Sequence, residues 1–225
     1  MKFVSLFAAA AVLALSASAR GDDLDKKIPA PLLDPANGAA SETVVLAGGC
    51  FWGQQAVFEH VKGVKRVVAG YSGGAANTAT YPQVTTETTG HAESVQITFD
   101  PRMVSFGKLL QIYFSVAHDP TERNFQGPDQ GTSYRSDVFF ASPEQEKTAR
   151  AYIAQLDAAH VFAQPVVTRI EPLKGFYAAE GYHQDYLVHN PTQPYIVIND
   201  LPKLAALKRV WPEFYRAEPI LLASR

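Results

Sequence analysis

The chain has 225 residues and a single cysteine, Cys50, which limits what can hold its fold together. No disulfide can form within the chain, so its stability must come from a buried apolar core. Apolar residues make up 47% of the sequence, and a chain of this length can bury a sufficient core without cross-links. We therefore expect a globular domain whose lone thiol is either an inert buried side chain or a functional group.

The N-terminus has the pattern of a secretory signal. Lys2 gives a positive start, residues 4–15 form an apolar run, and residues 17–19 (ASA) form a small-residue cleavage site. The run is shorter than the ~20 residues that span a bilayer, and no cysteine follows it to carry a lipid. We predict that residues 1–19 are a cleaved signal peptide and that the mature chain is exported, to the periplasm, without a membrane anchor. A retained N-terminal anchor is the alternative.

Charge and composition exclude several kinds of partner. The net charge is −2 and Lys and Arg do not cluster, which argues against binding to nucleic acid or to an anionic membrane surface. The six histidines lack metal-ligand spacing, so no metal is predicted. Residues 20–41 carry charges and prolines without apolar periodicity and are predicted to be an extended linker. Residues 42–225 then form a single domain, which we expect to be monomeric.

Apolar periodicity in this domain predicts strands and helices in alternation. The predicted strands are residues 44–47, 64–71, 93–99, 136–141 and 166–170, and the predicted helices are residues 54–61, a helix capped by Ser105, residues 143–159 capped by Ser142, and short helices near Gln184 and Lys203. A long polar loop covers residues 118–135. This order predicts an α+β, two-layer sandwich built on a split βαβ (ferredoxin-like) core, with a loop-rich C-terminal tail.

Cys50 is predicted to lie where a strand ends, a glycine turn bends the chain and a helix begins. A helix N-terminus favours a thiolate, so this position suits a nucleophile. An unpaired thiol in an exported protein also risks oxidation, and its retention suggests that it is used. Phe51 and Trp52 follow directly. They are either ordinary core residues or the wall of an apolar pocket beside the sulfur.

Four polar residues are further candidates for chemistry. In the strand 93–99, alternation places Glu93 on the apolar face, where burial would raise its pKa and let it donate a proton. Alternatively, Glu93 lies one step outside the strand in solvent. Asp129 and Tyr134, in the glycine-containing loop, either approach a pocket or belong to an Asx-type turn and the core. Tyr81 is open to both readings.

Several segments together resemble a known family. They are residues 49–53 (GCFWG), 70–74 (GYSGG), 90–93 (GHAE), 99–101 (FDP), 118–121 (HDPT), 131–136 (GTSYRS) and 182–187 (YHQDYL). In this order they resemble the A-type peptide-methionine sulfoxide reductases over about residues 44–191. The resemblance implies thiol-dependent reduction of methionine-S-sulfoxide, free and in proteins, without a bound cofactor. Residues 42–225 would be the catalytic domain.

The resemblance also implies a role for each candidate residue. Cys50 would be the nucleophile and Glu93 the acid that protonates the sulfoxide oxygen. Tyr81 and Tyr134 would donate hydrogen bonds to that oxygen, and Asp129 would order the site. Phe51 and Trp52 would form a cage for the substrate methyl group.

The C-terminal tail departs from many members of this family. Residues 182–225 contain no resolving cysteine, so a Cys50 sulfenic acid would need an external thiol. Candidates are a thioredoxin-like protein, glutaredoxin with glutathione, or dithiothreitol in vitro. Two other functions stay open on the residues alone: a Cys–His hydrolase or acyltransferase, and a non-catalytic domain that binds methionine-like side chains.

Overall fold

The structure is a computed structural model that describes residues 25–36 and 38–222. The predicted signal peptide, residues 1–19, lies outside the described residues. The strands are β1 (Glu42–Ala47), β2 (Val64–Ser72), β3 (Ala92–Phe99), β4 (Phe125–Gln126), β5 (Asp129–Gln130), β6 (Asp137–Phe140), β7 (Arg169–Pro172) and β8 (Phe176–Ala178). The helices are α1 (Phe51–Glu59), α2 (Tyr81–Val84), α3 (Phe106–Ile112), α4 (Pro143–Ala158), α5 (Tyr186–His189) and α6 (Leu201–Val210).

Six strands form one mixed sheet in the order β7-β6-β1-β3-β2-β8. The pairs are antiparallel except β6 and β7, which are parallel. The strands β4 and β5 form a separate two-stranded hairpin within the long loop. The predicted α+β class, with a sheet packed against helices, is therefore confirmed, and the ferredoxin-like arrangement stays a prediction.

The core lies between one face of this sheet and the helices α1, α3, α4 and α6. Val44 and Leu46 of β1 alternate with Val45 and Ala47 because successive side chains point to opposite faces. The first pair joins the main core, and the second pair packs with Phe139 in a small cluster on the other face. Side chains cover both faces of β1, so the position of this strand is fixed. Cys50 lies three residues after the end of β1, and its position is therefore fixed as well.

Two helix starts follow the predicted caps. The Ser105 hydroxyl accepts a hydrogen bond from Lys108 N–H, and the Ser142 hydroxyl accepts one from Gln145 N–H. α3 continues into a π-helical turn at Tyr113–Ala117. None of the helices among the described residues is long and apolar enough to cross a membrane.

Two predicted elements are displaced, and one strand was not predicted. α1 begins at Phe51, not at residue 54, because the chain turns into the helix directly after Cys50. The last predicted strand, residues 166–170, forms instead as β7, Arg169–Pro172. β8 was not predicted at all, and it pairs with the free edge of β2. Both β7 and β8 are short edge strands, and their positions depend on which edge of the sheet is available rather than on local pattern.

The segment before β1 contains no helix or strand in its described part and packs along the domain. Ile28 is buried, and Tyr152 Oη donates a 2.6 Å hydrogen bond to the carbonyl of Pro29. The Asp34 carboxylate accepts hydrogen bonds from Ser105 Oγ (2.5 Å) and from Gly107 N–H (3.0 Å). The boundary at residue 42 between linker and domain stays a prediction.

Candidate active site

Cys50 is the residue before the first turn of α1, at the end of a glycine turn. Gly49 has φ +87°, which a side chain would strain, and a Cβ atom built there would lie 2.7 Å from Gln126 Cβ. The glycine therefore permits both the bend and the close approach of the long loop. Cys50 itself is 7% exposed. The sequence prediction of a thiol between strand, glycine turn and helix is confirmed.

The helix start predicts a thiolate at Cys50, but the surroundings of this residue favour the neutral thiol. Burial raises the pKa of the thiol well above its ordinary value, and the negative charges of Glu93 and Asp200 raise it further. The N–H of Trp52 at the helix start and the charge of Lys203 act in the opposite direction. The helix terminus does favour the anion, but burial dominates. Cys50 is therefore a neutral thiol in the resting protein.

Glu93 lies beside this thiol and is also neutral. It is 3% exposed, on the buried face of β3, so the expectation that it faces apolar surroundings is confirmed. Its Oε2 is 3.1 Å from the Phe51 backbone nitrogen, whose N–H it accepts at the start of α1. Burial raises the pKa of Glu93 to about 8, although the Phe51 hydrogen bond lowers it. At neutral pH the carboxyl holds a proton next to Cys50.

Tyr81 and Tyr134 reach the same place from two different turns. Tyr81 starts α2, where its N–H donates to Glu180 Oε1 at 2.9 Å, and its ring lies 4.5 Å from the His183 ring. Tyr134 ends a 3₁₀ turn after β5. The pKa of each phenol is raised first by burial and also by the charges of Glu93 and Cys50.

Asp129 lies in β5 and is fixed by a residue that sequence reasoning missed. Its carboxylate accepts a short hydrogen bond from Tyr195 Oη. Burial raises the pKa of Asp129, while this hydrogen bond and the charge of Lys203 lower it. Tyr195 also meets the Trp52 ring edge-on at 5.9 Å. The C-terminal tail thus joins the loop that carries Asp129 to the first turn of α1.

Phe51 and Trp52 form an aromatic wall, and His183 holds part of it. Phe51 is buried, with its ring 5.0 Å from that of His183. Trp52 is partly exposed, stacks on Tyr186 at 3.8 Å, and donates from Nε1 to His183 Nδ1 at 3.1 Å. The pair is therefore neither purely core nor purely surface, since Phe51 is buried and Trp52 is partly exposed.

The site residues missing from the sequence analysis come from distant segments. They are Glu87, Glu180, His183, Tyr195, Asp200 and Lys203. His183 stands in the segment 182–187 that carried the family resemblance, which was the one available signal. The others have no local motif, and only the fold brings them to Cys50.

Among the described residues, no histidine makes a hydrogen bond to Cys50. His118 is buried, its Nε2 lies 2.7 Å from Ser136 Oγ, and burial lowers its pKa to about 3. His183 accepts the Trp52 hydrogen bond, and burial lowers its pKa as well. In the described residues, no group of three or more His, Cys, Asp or Glu side chains is arranged to hold a metal ion.

The site thus holds the lone thiol at a helix start beside a buried carboxyl that is protonated at neutral pH. The chain matches the model of the peptide methionine sulfoxide reductase family over residues 42–215. It belongs to that family.

Individual relatives agree with this assignment. The chain is 56% identical to the peptide methionine sulfoxide reductase MsrA 2 of Mesorhizobium japonicum, over 85% of this chain and 98% of the relative. Methionine sulfoxide reductase A of Corynebacterium diphtheriae is similar in structure, with a TM-score of 0.60, 33% identity, and coverage of 76% and 86% of the two chains. Mxr1 of Saccharomyces cerevisiae in reduced form has a TM-score of 0.61, 31% identity, and coverage of 71% and 91%.

Proposed function

We propose that this protein reduces the S epimer of methionine sulfoxide, free and in oxidised proteins, with Cys50 as nucleophile and Glu93 as proton donor. Family membership supports the reaction. One contact carries the assignment of residues: Glu93 Oε2 accepts the Phe51 N–H at 3.1 Å, which holds a buried carboxyl at the helix start that bears the thiol. A hydrolase would need a base there, and Glu93, with a pKa of about 8, is protonated at neutral pH.

The proposed first step conserves protons. Glu93 gives its proton to the sulfoxide oxygen and takes up the proton of the Cys50 thiol, so the carboxyl ends as it began. The Cys50 thiolate attacks the sulfur of the protonated sulfoxide and forms an S–S bond. The hydroxyl group then passes from the substrate sulfur to the Cys50 sulfur as the S–S bond and the substrate S–O bond break. The substrate leaves as a thioether, reduced by two electrons, and Cys50 is oxidised to a sulfenic acid. General acid assistance of this kind contributes about 10²–10⁴ in rate.

The other residues are assigned to binding and orientation. Tyr81 and Tyr134 would donate hydrogen bonds to the sulfoxide oxygen, since the charges of Glu93 and Cys50 act on both phenols. Asp129, held by Tyr195, would order the polar side of the site. Phe51 and Trp52 would enclose the methyl group of the substrate, because their rings provide the apolar side.

The second half of the cycle is assigned to an external thiol. One thiol attacks the sulfenic acid and releases water, and a second thiol frees Cys50 and leaves as a disulfide. The chain has no other cysteine for this step. A thioredoxin-like protein, glutaredoxin with glutathione, or dithiothreitol in vitro would supply it, and no bound cofactor is proposed.

Export, organisation and fold detail belong to the proposal as well. The N-terminal pattern of residues 1–19 supports a cleaved signal peptide and a periplasmic enzyme. We also propose that the enzyme is monomeric and that its catalytic domain starts at residue 42. The neighbours β6-β1-β3-β2, all antiparallel, support descent of the core from a split βαβ, ferredoxin-like unit.

A chiral assay tests the function directly. The protein is incubated with dithiothreitol and separate S and R epimers of a methionine sulfoxide, and the thioether formed is measured. The S epimer should be consumed and the R epimer left. Cys50→Ser should abolish turnover with an unchanged circular dichroism spectrum. Turnover of the R epimer alone, or activity in Cys50→Ser, would remove the proposal.

A further inference from the structure

Lys203, near the start of α6, lies over the first turn of α1. Its Nζ is 3.1 Å from Asp200 Oδ1. A Cβ atom built on Gly53 would collide with that oxygen and would lie 2.9 Å from Lys203 Nζ. Gly53 is three residues after Cys50, so its missing side chain makes room for this ion pair beside the helix start that carries the thiol.

The ion pair is enclosed, which makes its charges effective. Asp200 is 1% exposed, and the Lys203 side chain is 18% exposed. Lys203 also lines a cavity of about 110 Å³. The titratable groups that face Lys203 from the surrounding elements are Cys50, His118, Asp119, Glu122, Asp129, Tyr195 and Asp200. Charges in such a place are poorly screened by solvent.

We propose that Lys203, held by Asp200, is a positioning residue that favours the anionic form of Cys50 during attack. The proposal rests on the assignment of Cys50 as the nucleophile. Two effects follow from the geometry. The ammonium group offsets negative charge that develops on the sulfur, and it also neutralises Asp200, whose carboxylate would otherwise oppose that charge. The helix terminus alone does not offset the burial of the thiol, and Lys203 therefore supplies additional positive charge that favours the thiolate.

The electrostatics of the thiol agree with this geometry. Burial is the largest cause that raises the pKa of Cys50, followed by the charges of Glu93 and Asp200. Among the described residues, Lys203 is the cation whose charge lowers the pKa of Cys50. Removing Lys203 alone would take away this effect and leave the Asp200 carboxylate uncompensated. Removing both residues' charges together would cancel most of the change.

Alkylation of Cys50 by iodoacetamide measures thiolate formation independently of turnover. Rates over a range of pH are compared for the wild-type protein, Lys203→Gln, the double variant Asp200→Asn/Lys203→Gln, and Lys208→Gln. Lys208 is an exposed lysine of the same helix and serves as the matched control. We expect Lys203→Gln to react about tenfold more slowly at a fixed pH. The double variant should return to within about threefold of wild type, and Lys208→Gln should be unchanged.

Two results would overturn the proposal. One is a wild-type alkylation rate in Lys203→Gln. The other is a double variant as slow as Lys203→Gln, which would mean that Lys203 acts through packing rather than charge. If Lys203→Gln does not fold, Lys203→Met keeps the apolar length of the side chain and gives the same measurement. Failure of the reductase assay with this charge effect intact would count against the proposed function alone.

Discussion

Cys50 and Glu93 keep their protons at neutral pH for the same reason, which is burial at one helix start. A buried neutral thiol is a poor nucleophile, whereas a carboxyl that keeps its proton at neutral pH can act as a general acid. The buried thiol can ionise if its proton replaces the proton that Glu93 gives to the substrate oxygen. The enzyme would then ionise its thiol only when a substrate is bound.

This coupling predicts the pH dependence of the reaction. Glu93 has a pKa of about 8, so its acid form is present below that pH and is lost above it. The kcat/KM of the wild-type protein should therefore fall as the pH rises through about 8. Glu93→Gln should be slower by about 10²–10⁴ at neutral pH, since an amide transfers no proton. It should also lose the falling limb of the profile. A variant that keeps the wild-type rate or that limb would remove Glu93 as the acid.

At the scale of elements, the 3₁₀ turn Thr132–Tyr134 positions one of the two phenols, and Glu87 holds this turn. The Glu87 carboxylate accepts hydrogen bonds from Thr132 Oγ1 (3.1 Å), Ser133 N–H (2.8 Å) and Ser133 Oγ (2.6 Å). Gly131 precedes the turn at φ +132°, and a Cβ atom there would collide with the same carboxylate. The turn thus depends on a residue of another loop.

Glu87→Ala should therefore lower activity by loosening the turn that carries Tyr134, and it also removes a negative charge that helps to raise the pKa of Glu93. Loss of these hydrogen bonds removes roughly 1–3 kcal/mol from the placement of Tyr134, so kcat/KM should fall by about tenfold or more. Glu146→Ala, which breaks only an exposed ion pair with Arg150 on α4, is the control and should keep full activity. Steady-state kinetics on both variants measure this effect. If Glu87→Ala and Glu146→Ala had equal kcat/KM values, the 3₁₀ turn would not depend on Glu87.

Local sequence pattern predicted the strand that carries Glu93 and two helix caps, but it missed the residues from distant segments that contact the site. The alternation in β3 and the caps Ser105 and Ser142 are local signals, and the structure confirms them. The contacts of Tyr195 with Asp129 and of Lys203 with the start of α1 link residues far apart in sequence. No local period encodes such contacts. β8 was missed for a related reason, because a three-residue strand forms only where β2 offers an open edge.

For the whole molecule, buried carboxyls should make stability depend on pH. Glu59 of α1 is 1% exposed, and burial, followed by a hydrogen bond and repulsion from Asp185, raises its pKa from 4.5 to about 9. The folded state therefore holds a proton that the unfolded chain releases, so stability should fall as pH rises from about 4.5 to about 9. Glu93 acts with the same sign.

Glu59→Gln should flatten this dependence. The amide has no proton to lose, so the variant should gain roughly 1–3 kcal/mol relative to wild type between pH 5 and about pH 8.5. Urea unfolding at several pH values measures the free energy of unfolding. Glu146→Gln, a change at an exposed glutamate, should follow the wild-type curve. Parallel curves for wild type and Glu59→Gln would show that Glu59 does not titrate in this range.

The single cysteine per chain also limits how many turnovers the protein can complete without an external thiol. Without a second thiol, a reduced protein can complete one attack and then stops as the sulfenic acid. Anaerobic incubation with excess S-sulfoxide and no added thiol should therefore release about one methionine per chain. Cys50 should then react with a sulfenic-acid probe, and dithiothreitol should restart turnover. Release of several methionines without added thiol, or a Cys50–Cys50 dimer on a non-reducing gel, would show that the chain resolves its own intermediate.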